Sequence, residues 1–143
     1  MNYLTDEEFV DIYSKAPRLC VDLVIKNNEG ILLGLRSRAP FEDMWNLPGG
    51  TVYKDEKIEE AGIRIAKNET GLDVNIGKCI GYIESLKEKR FDVEMHTISI
   101  ILEVFPKEGE LHCDENTKEL KYFQELPRTL IREQVEFLKT LHA

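Results

Sequence analysis

A turn of small and rigid residues, "LPGG" at 47–50, leads into a charged stretch whose apolar residues recur at helical spacing and which ends at another glycine. Ile58, Ala61, Gly62 and Ile65 lie three or four positions apart and so share one helical face. The spacing predicts a helix over residues 56 to about 69, with Gly71 placed to end it. Glu69 lies one turn beyond Ile65 on the same stripe, which puts a carboxylate in line with buried positions. Such a group is costly to bury unless a cation or hydrogen-bond donors meet it. Gly49 and Gly50 permit close backbone approach, so the turn can aim a carbonyl oxygen or an amide at an ion or a phosphate. Magnesium favours hard oxygen ligands of that kind. Taken singly, each feature also has a plain reading, as an ordinary turn and as a helix end projecting into water.

The flanking segments read as strands and helices of one domain, residues 1–143, with no repeat, low-complexity tract or linker. Thr5 and Glu8 have capping-box spacing, which opens a short helix to about Lys15 before Pro17. In "RLCVDLVIK", Leu19, Val21, Leu23 and Ile25 alternate with Arg18, Cys20, Asp22 and Val24, as in a strand with one buried face. "NNEG" then turns the chain into a second strand, "ILLGLR". Further strands are expected over 73–86 and 93–105, the latter with His96, Ile98, Ile100 and Leu102 on one face, and over "LKYF". Pro127 is expected to begin a final helix that buries Ile131, Val135 and Leu138. The pattern is that of an α/β fold with helices packed on a mixed β-sheet.

Composition narrows the partners. A net charge of -8 argues against broad electrostatic binding to nucleic acid or to an anionic membrane. A polyanionic substrate would need a local counter-field from metal ions or placed arginines. The N-terminus lacks the pattern of a signal peptide, and no apolar run approaches a membrane span. Cys20, Cys79 and Cys113 are odd in number and lack CxxC spacing, which fits free thiols in a reducing cytoplasm.

Gly50, Glu56, Arg64, Ala66, Glu69, Gly71 and Leu72 match, in register, the pattern G-x5-E-x7-R-E-U-x-E-E-x-G-U, where U is apolar. This is the Nudix box, and "WNLPG" before it and "ELKYFQELP" late in the chain also resemble Nudix sequence. The resemblance implies a Nudix-type α/β/α sandwich that hydrolyses a nucleoside diphosphate linked to another group. Ile65 and Asn68 replace two of the box acids, and one subgroup, the GDP-mannose mannosyl hydrolases, shares both losses. "LTDEEFVDIYSKAP", "CVDLVI" with Asp22 and "GILLGLRSR" with Arg36 are similar to that subgroup as well. The resemblance implies one Mg2+, or Mn2+ in its place, held by the Gly49 carbonyl, Glu69 and Asn116. It further implies Asp22 and Arg36 on the substrate, water attack at the sugar's anomeric carbon, and a homodimer. Arginine suits the diphosphate because its planar fork matches phosphate oxygens.

Three positions depart from the subgroup. Asn116 and Thr117 stand where it carries a metal-binding Gln and a catalytic His, and Thr51 where it carries a second arginine. Asparagine still offers a carbonyl oxygen, but a threonine hydroxyl has no useful basicity near neutral pH. Asp114, Glu115, Glu88 and Glu94 are the alternative bases, each also readable as part of a solvated acidic surface. His96 reads better as a satisfied core residue, and His112 and His142 sit in no motif. Two other outcomes stay open: cleavage of the pyrophosphate itself, and a non-catalytic domain that binds a nucleotide sugar.

Overall fold

The computed structural model describes residues 3–141; His142 lies outside the described residues. Helix α1 (Asp6–Tyr13) opens on the expected capping box. The Thr5 hydroxyl accepts from the Glu8 amide at 3.1 Å, and the Glu8 carboxylate accepts from the Thr5 amide at 3.0 Å. Strands β1 (Arg18–Asn27) and β2 (Gly30–Arg36) form the expected hairpin, in the register Asn27↔Gly30. Then come β3 (Trp45–Asn46), β4 (Gly49–Thr51), helix α2 (Ile58–Thr70), β5 (Asp73–Arg90), β6 (Val93–Glu108), β7 (Thr117–Phe123) and helix α3 (Arg132–Thr140).

The sheet is mixed. β1 runs parallel to β6 from Arg18↔Thr97 to Ile25↔Val104, and β5 lies antiparallel on the far side of β6. β1 and β2 pair only next to their turn and then diverge. Beyond that point β4 runs along β1, with Asp22 opposite Gly49, and β3 runs along β2. The Leu47–Pro48 turn therefore sits in the fork between two sub-sheets, and β7 lines the outer edge of β2. On one side of the sheet Val21, Leu23 and Ile25 pack with Ala61, Ile65 and Ala66 of α2. On the other, Val24, Ile101 and Leu47 pack with Leu138 of α3. Helices on both faces of a mixed sheet make the expected α/β/α sandwich.

Three expectations need correction. β1 does not alternate between core and solvent: Leu19 is exposed, whereas Val24 is fully buried opposite Val21, Leu23 and Ile25. A strand bonded on both edges and covered by a helix layer on each face has no solvent side. Second, Met95, Thr97, Ser99 and Ile101 form the buried face of β6, while the face carrying His96 is half open and the His96 ring meets Glu84 at 2.7 Å. His96 is thus bonded near the surface and is not a core residue. The hairpin also reaches beyond both predicted limits, to Arg90 and Glu108, closed by Phe91 and Asp92 in the left-handed region as a two-residue turn requires. Third, Pro127 does not begin α3. The Trp45 amide donates to Thr129 and the Ile131 amide donates to Trp45, which holds 129–131 extended against β3 and delays the helix to Arg132.

Candidate active site

Helix α2 has a closed end and an open one. At its start Arg64 donates to Glu56 through Nε at 2.7 Å and Nη2 at 3.0 Å, and to the Thr51 carbonyl at 2.8 Å. The Tyr53 amide donates to Glu56 at 3.0 Å, and the Arg64 guanidinium lies 3.8 Å from the centre of the Tyr53 ring. Those bonds hold the Glu56 carboxyl below its usual range, the Arg64 bond first among them. Two matching box residues therefore fasten the loop after β4 onto α2.

At the other end Gly71 takes a left-handed conformation, φ 81°, and its amide donates to the Lys67 carbonyl to cap the helix. Glu69, two residues earlier, turns its carboxylate towards β4 and accepts from the Gly49 amide at 3.3 Å. The turn is held to β1 by the Leu23 amide, which donates to the Pro48 carbonyl at 2.8 Å. Only glycine fits at 49: a Cβ there would lie 1.9 Å from Asp22 Oδ1. Asp22 is thereby packed against the glycine turn from a central strand rather than an edge.

The opposite wall comes from late in the chain. Ser37 ties down the segment before β7, its amide donating to the Asn116 carbonyl and its hydroxyl to that of Glu115, both at 2.9 Å. The Asn116 amide donates to Asp114 at 2.9 Å, while Asn116 Oδ1 is buried and has no hydrogen-bond partner. A buried amide oxygen without a donor is unfavourable unless something positive meets it. Glu69 makes the same demand: burial, then the charge of Asp114, push its carboxyl up to about 8, against the opposing pull of the Gly49 amide and Arg36. A carboxylate short of positive charge and an orphaned amide oxygen lining one cleft fit a hard divalent cation. Among the described residues no three His, Cys, Asp or Glu side chains converge on a metal position, so backbone and amide oxygens must complete any such shell.

Arg36 ends β2 in the same fork, half-buried, with its Nε donating to the Pro40 carbonyl. Burial, then the like charge of Arg90, lower its pKa, and Glu69 opposes them. Asp22 is raised to about 7 by burial, although Ser99 hydrogen-bonds it. A cleft of about 940 Å³ joins Arg36, Gly49, Glu69, Asp114 and Asn116 to an aromatic end formed by Tyr3, Phe9, Tyr53 and Phe91. A smaller cavity of about 110 Å³, reaching Asp22 and Ser99, shares Arg36, Gly49 and Gly50 with it. The fold thus gathers all five residues singled out in the sequence, Asp22, Arg36, Gly49, Glu69 and Asn116, around one fork.

The alternative bases separate. Glu94 is exposed, and Glu115 is an exposed partner of Arg38 at 3.9 Å. Glu88 lines the smaller cavity but accepts from Arg18 and Thr97, each at 3.0 Å. Burial works to raise its pKa, yet Arg90, Arg18 and the Thr97 bond together outweigh burial and hold it below the usual carboxylate range. Asp114 alone of the four acts directly on Glu69. Arg18 and Arg90 line both cavities and were not identified from sequence. Arg18 carried one signal, a charge within the alternating β1 pattern; Arg90 carried none.

The sequence and the fold have relatives among known proteins. A family model described as the NUDIX domain matches residues 16–140. The low-salt glycan biosynthesis protein Agl8 of Haloferax volcanii is 35% identical over 125 residues, covering 85% of this chain and 80% of that one. The ADP-ribose pyrophosphatase of Methanocaldococcus jannaschii is 36% identical over 107 residues, 75% of this chain and 62% of the relative. Among solved structures, the MutT Nudix hydrolase of Burkholderia pseudomallei superposes with a TM-score of 0.77 at 26% identity, covering 87% of this chain and 98% of the other. With the family model spanning nearly the whole described chain, the chain belongs to the Nudix hydrolase family.

Proposed function

We propose that the chain hydrolyses a nucleoside diphosphate sugar with the help of Mg2+, Mn2+ being the alternative ion. The observation that carries this reading is that the orphaned Asn116 Oδ1 belongs to the same cleft as Glu69, whose carboxyl is starved of positive charge. The Gly49 carbonyl, Glu69 and Asn116 would hold the ion, and a bound ion supplies Lewis-acid stabilisation of charge growing on diphosphate oxygens. Arg36 clamps the same oxygens, and Asp22, packed against Gly49, positions the sugar side of the substrate. The aromatic end of the cleft has room for a nucleoside.

In the favoured step a water oxygen bonds to the anomeric carbon as the bond from that carbon to the diphosphate oxygen breaks. The electron pair leaves with the intact nucleoside diphosphate, and the water proton passes to a base, for which Asp114, whose charge acts on Glu69, is the candidate. The likeness to a protein named for glycan biosynthesis supports a sugar-bearing substrate. A second reading, water attack on phosphorus, is supported by the likeness to an ADP-ribose pyrophosphatase and by Thr117, which leaves no histidine base beside the metal position.

Hydrolysis in ¹⁸O-labelled water separates the two. Label in the free sugar is the expected result, and label in phosphate establishes the second reading instead. Binding of nucleotide sugars without turnover in Mg2+ or Mn2+ would reduce the domain to a binding module.

A further inference from the structure

Arg18 opens β1 and Arg90 closes β5, and β6 between those strands brings both guanidinium groups to the inner end of the cleft. Their surroundings are unlike. Arg18 is 5% exposed and both its terminal nitrogens are engaged, Nη1 donating to Thr51 Oγ1 at 2.9 Å and Nη2 to Glu88 Oε2 at 3.0 Å, while its Nε is buried without a partner, as is that of Arg90. Its guanidinium also lies 5.4 Å from the centre of the Phe9 ring. Arg90 reaches the same Glu88 oxygen only at 3.6 Å, and its Nε is buried with no hydrogen-bond partner. One carboxylate, already bonded to Arg18 and Thr97, thus serves two guanidinium groups.

Arg36 faces the same imbalance from the other wall. Its Nε is used by the Pro40 carbonyl, which leaves the terminal nitrogens to the cleft, and Arg90 is the strongest like charge acting on it. Arg36 and Arg90, partly desolvated and both lining the cleft with Gly49 and Gly50, are thus like charges brought into one site, and Arg18 adds to the repulsion on Arg90. This concentration of positive charge occurs in a chain of net charge -8. An oxyanion between them would satisfy the forks of both and remove the repulsion.

We propose that Arg90 is the second arm of a two-arginine clamp, closing with Arg36 on the phosphate oxygens of the substrate. Glu88 holds Arg90 and is itself held by Arg18 and Thr97; Arg18, spent on Thr51 and Glu88, does not touch the anion. The clamp rests on the reading that a diphosphate occupies this cleft, so its test uses an anion without sugar, base or metal.

Inorganic pyrophosphate is titrated calorimetrically, at low salt with EDTA, into the unaltered protein and into Arg90→Gln and Arg18→Gln. Pyrophosphate is expected to bind the unaltered protein, and Arg90→Gln to weaken that binding at least about tenfold, the loss of one charged hydrogen bond. Without the anion, Arg90→Gln is expected to melt no lower than the unaltered protein, because it removes a repelled charge. Arg18→Gln is expected to melt lower, because it strands Glu88. No pyrophosphate binding to the unaltered protein, or equal binding to Arg90→Gln, overturns the clamp, as does an Arg90→Gln melting loss as large as that of Arg18→Gln. Turnover assays keep the two readings apart. Pyrophosphate binding that depends on Arg90, without hydrolysis of any nucleotide sugar, removes the proposed function and leaves the clamp. Full hydrolysis with unchanged pyrophosphate binding in Arg90→Gln removes the clamp alone.

Discussion

The two ends of helix α2 carry acidic side chains of the same motif and use them in opposite ways. At the N-terminal end Glu56 has every contact a buried carboxylate needs, from Arg64 and the Tyr53 amide. At the C-terminal end Glu69 has one long contact to the Gly49 amide, the repulsion of Asp114 and, in the same cleft, an amide oxygen without a donor. A satisfied polar network specifies shape, whereas an unsatisfied one is unfavourable until a ligand completes it. Membership of the motif does not separate architecture from chemistry; the local balance of donors and acceptors does.

Glu69→Gln should break the open end. It keeps the shape and removes the charge, so hydrolysis in Mg2+ is expected to fall at least about 100-fold, since loss of a ligand should exceed the usual effect of losing its supporting residues. The metal-free protein is expected to melt no lower than before. An unaltered rate in steady-state assays would take Glu69 out of the site. Asn116→Ala should weaken metal affinity by about tenfold, measured by Mn2+ titration, with little change in the metal-free melting temperature. A loss of stability with unchanged affinity would make Asn116 structural.

The closed end should respond in the reverse sense. Arg64→Ala is expected to cost about 1–3 kcal/mol of stability in urea unfolding, the loss of charged hydrogen bonds to Glu56 and of the tie to Thr51. Well below its melting temperature its metal affinity should stay near that of the unaltered protein. A fall in affinity matching that of Glu69→Gln would erase the distinction between the two ends.

The smallest expected effect concerns Asp22. Its carboxyl is raised from 3.8 to about 7 by burial, so the folded state binds this proton more tightly than the unfolded chain does. Stability from that proton is fully present below about pH 4 and is lost as pH rises through about 7. Asp22→Asn should flatten this decline. Melting temperatures of metal-free protein at pH 5 and pH 8 are expected to show a smaller drop in the variant, and an unchanged drop would mean that Asp22 does not titrate in this range.

Local features were legible where the signal is local. The Thr5 cap, the β1–β2 hairpin, the α2 stripe and the Gly71 cap each follow from residues within one or two turns of chain. Errors arose wherever a distant segment decided the outcome. Val24 is buried because both helix layers cover β1, and 129–131 stay extended because Trp45 is there to pair with them. The site divides along the same line. Gly49, Glu69 and Arg36 could be named from the box and its flanks, but their charge balance could not.

By itself the sequence determined the glycine turn, the helix after it and the acid at that helix's end, because steric freedom and helical periodicity act over a few residues. Only the tertiary structure decided that Asn116 joins Glu69 in one cleft without a donor, that Glu88 is spent on Arg18, and that Arg90 shares the cleft with Arg36. Those groups meet through strand register and the divergence of two sub-sheets. A period-two pattern of side chains does not specify which strands pair.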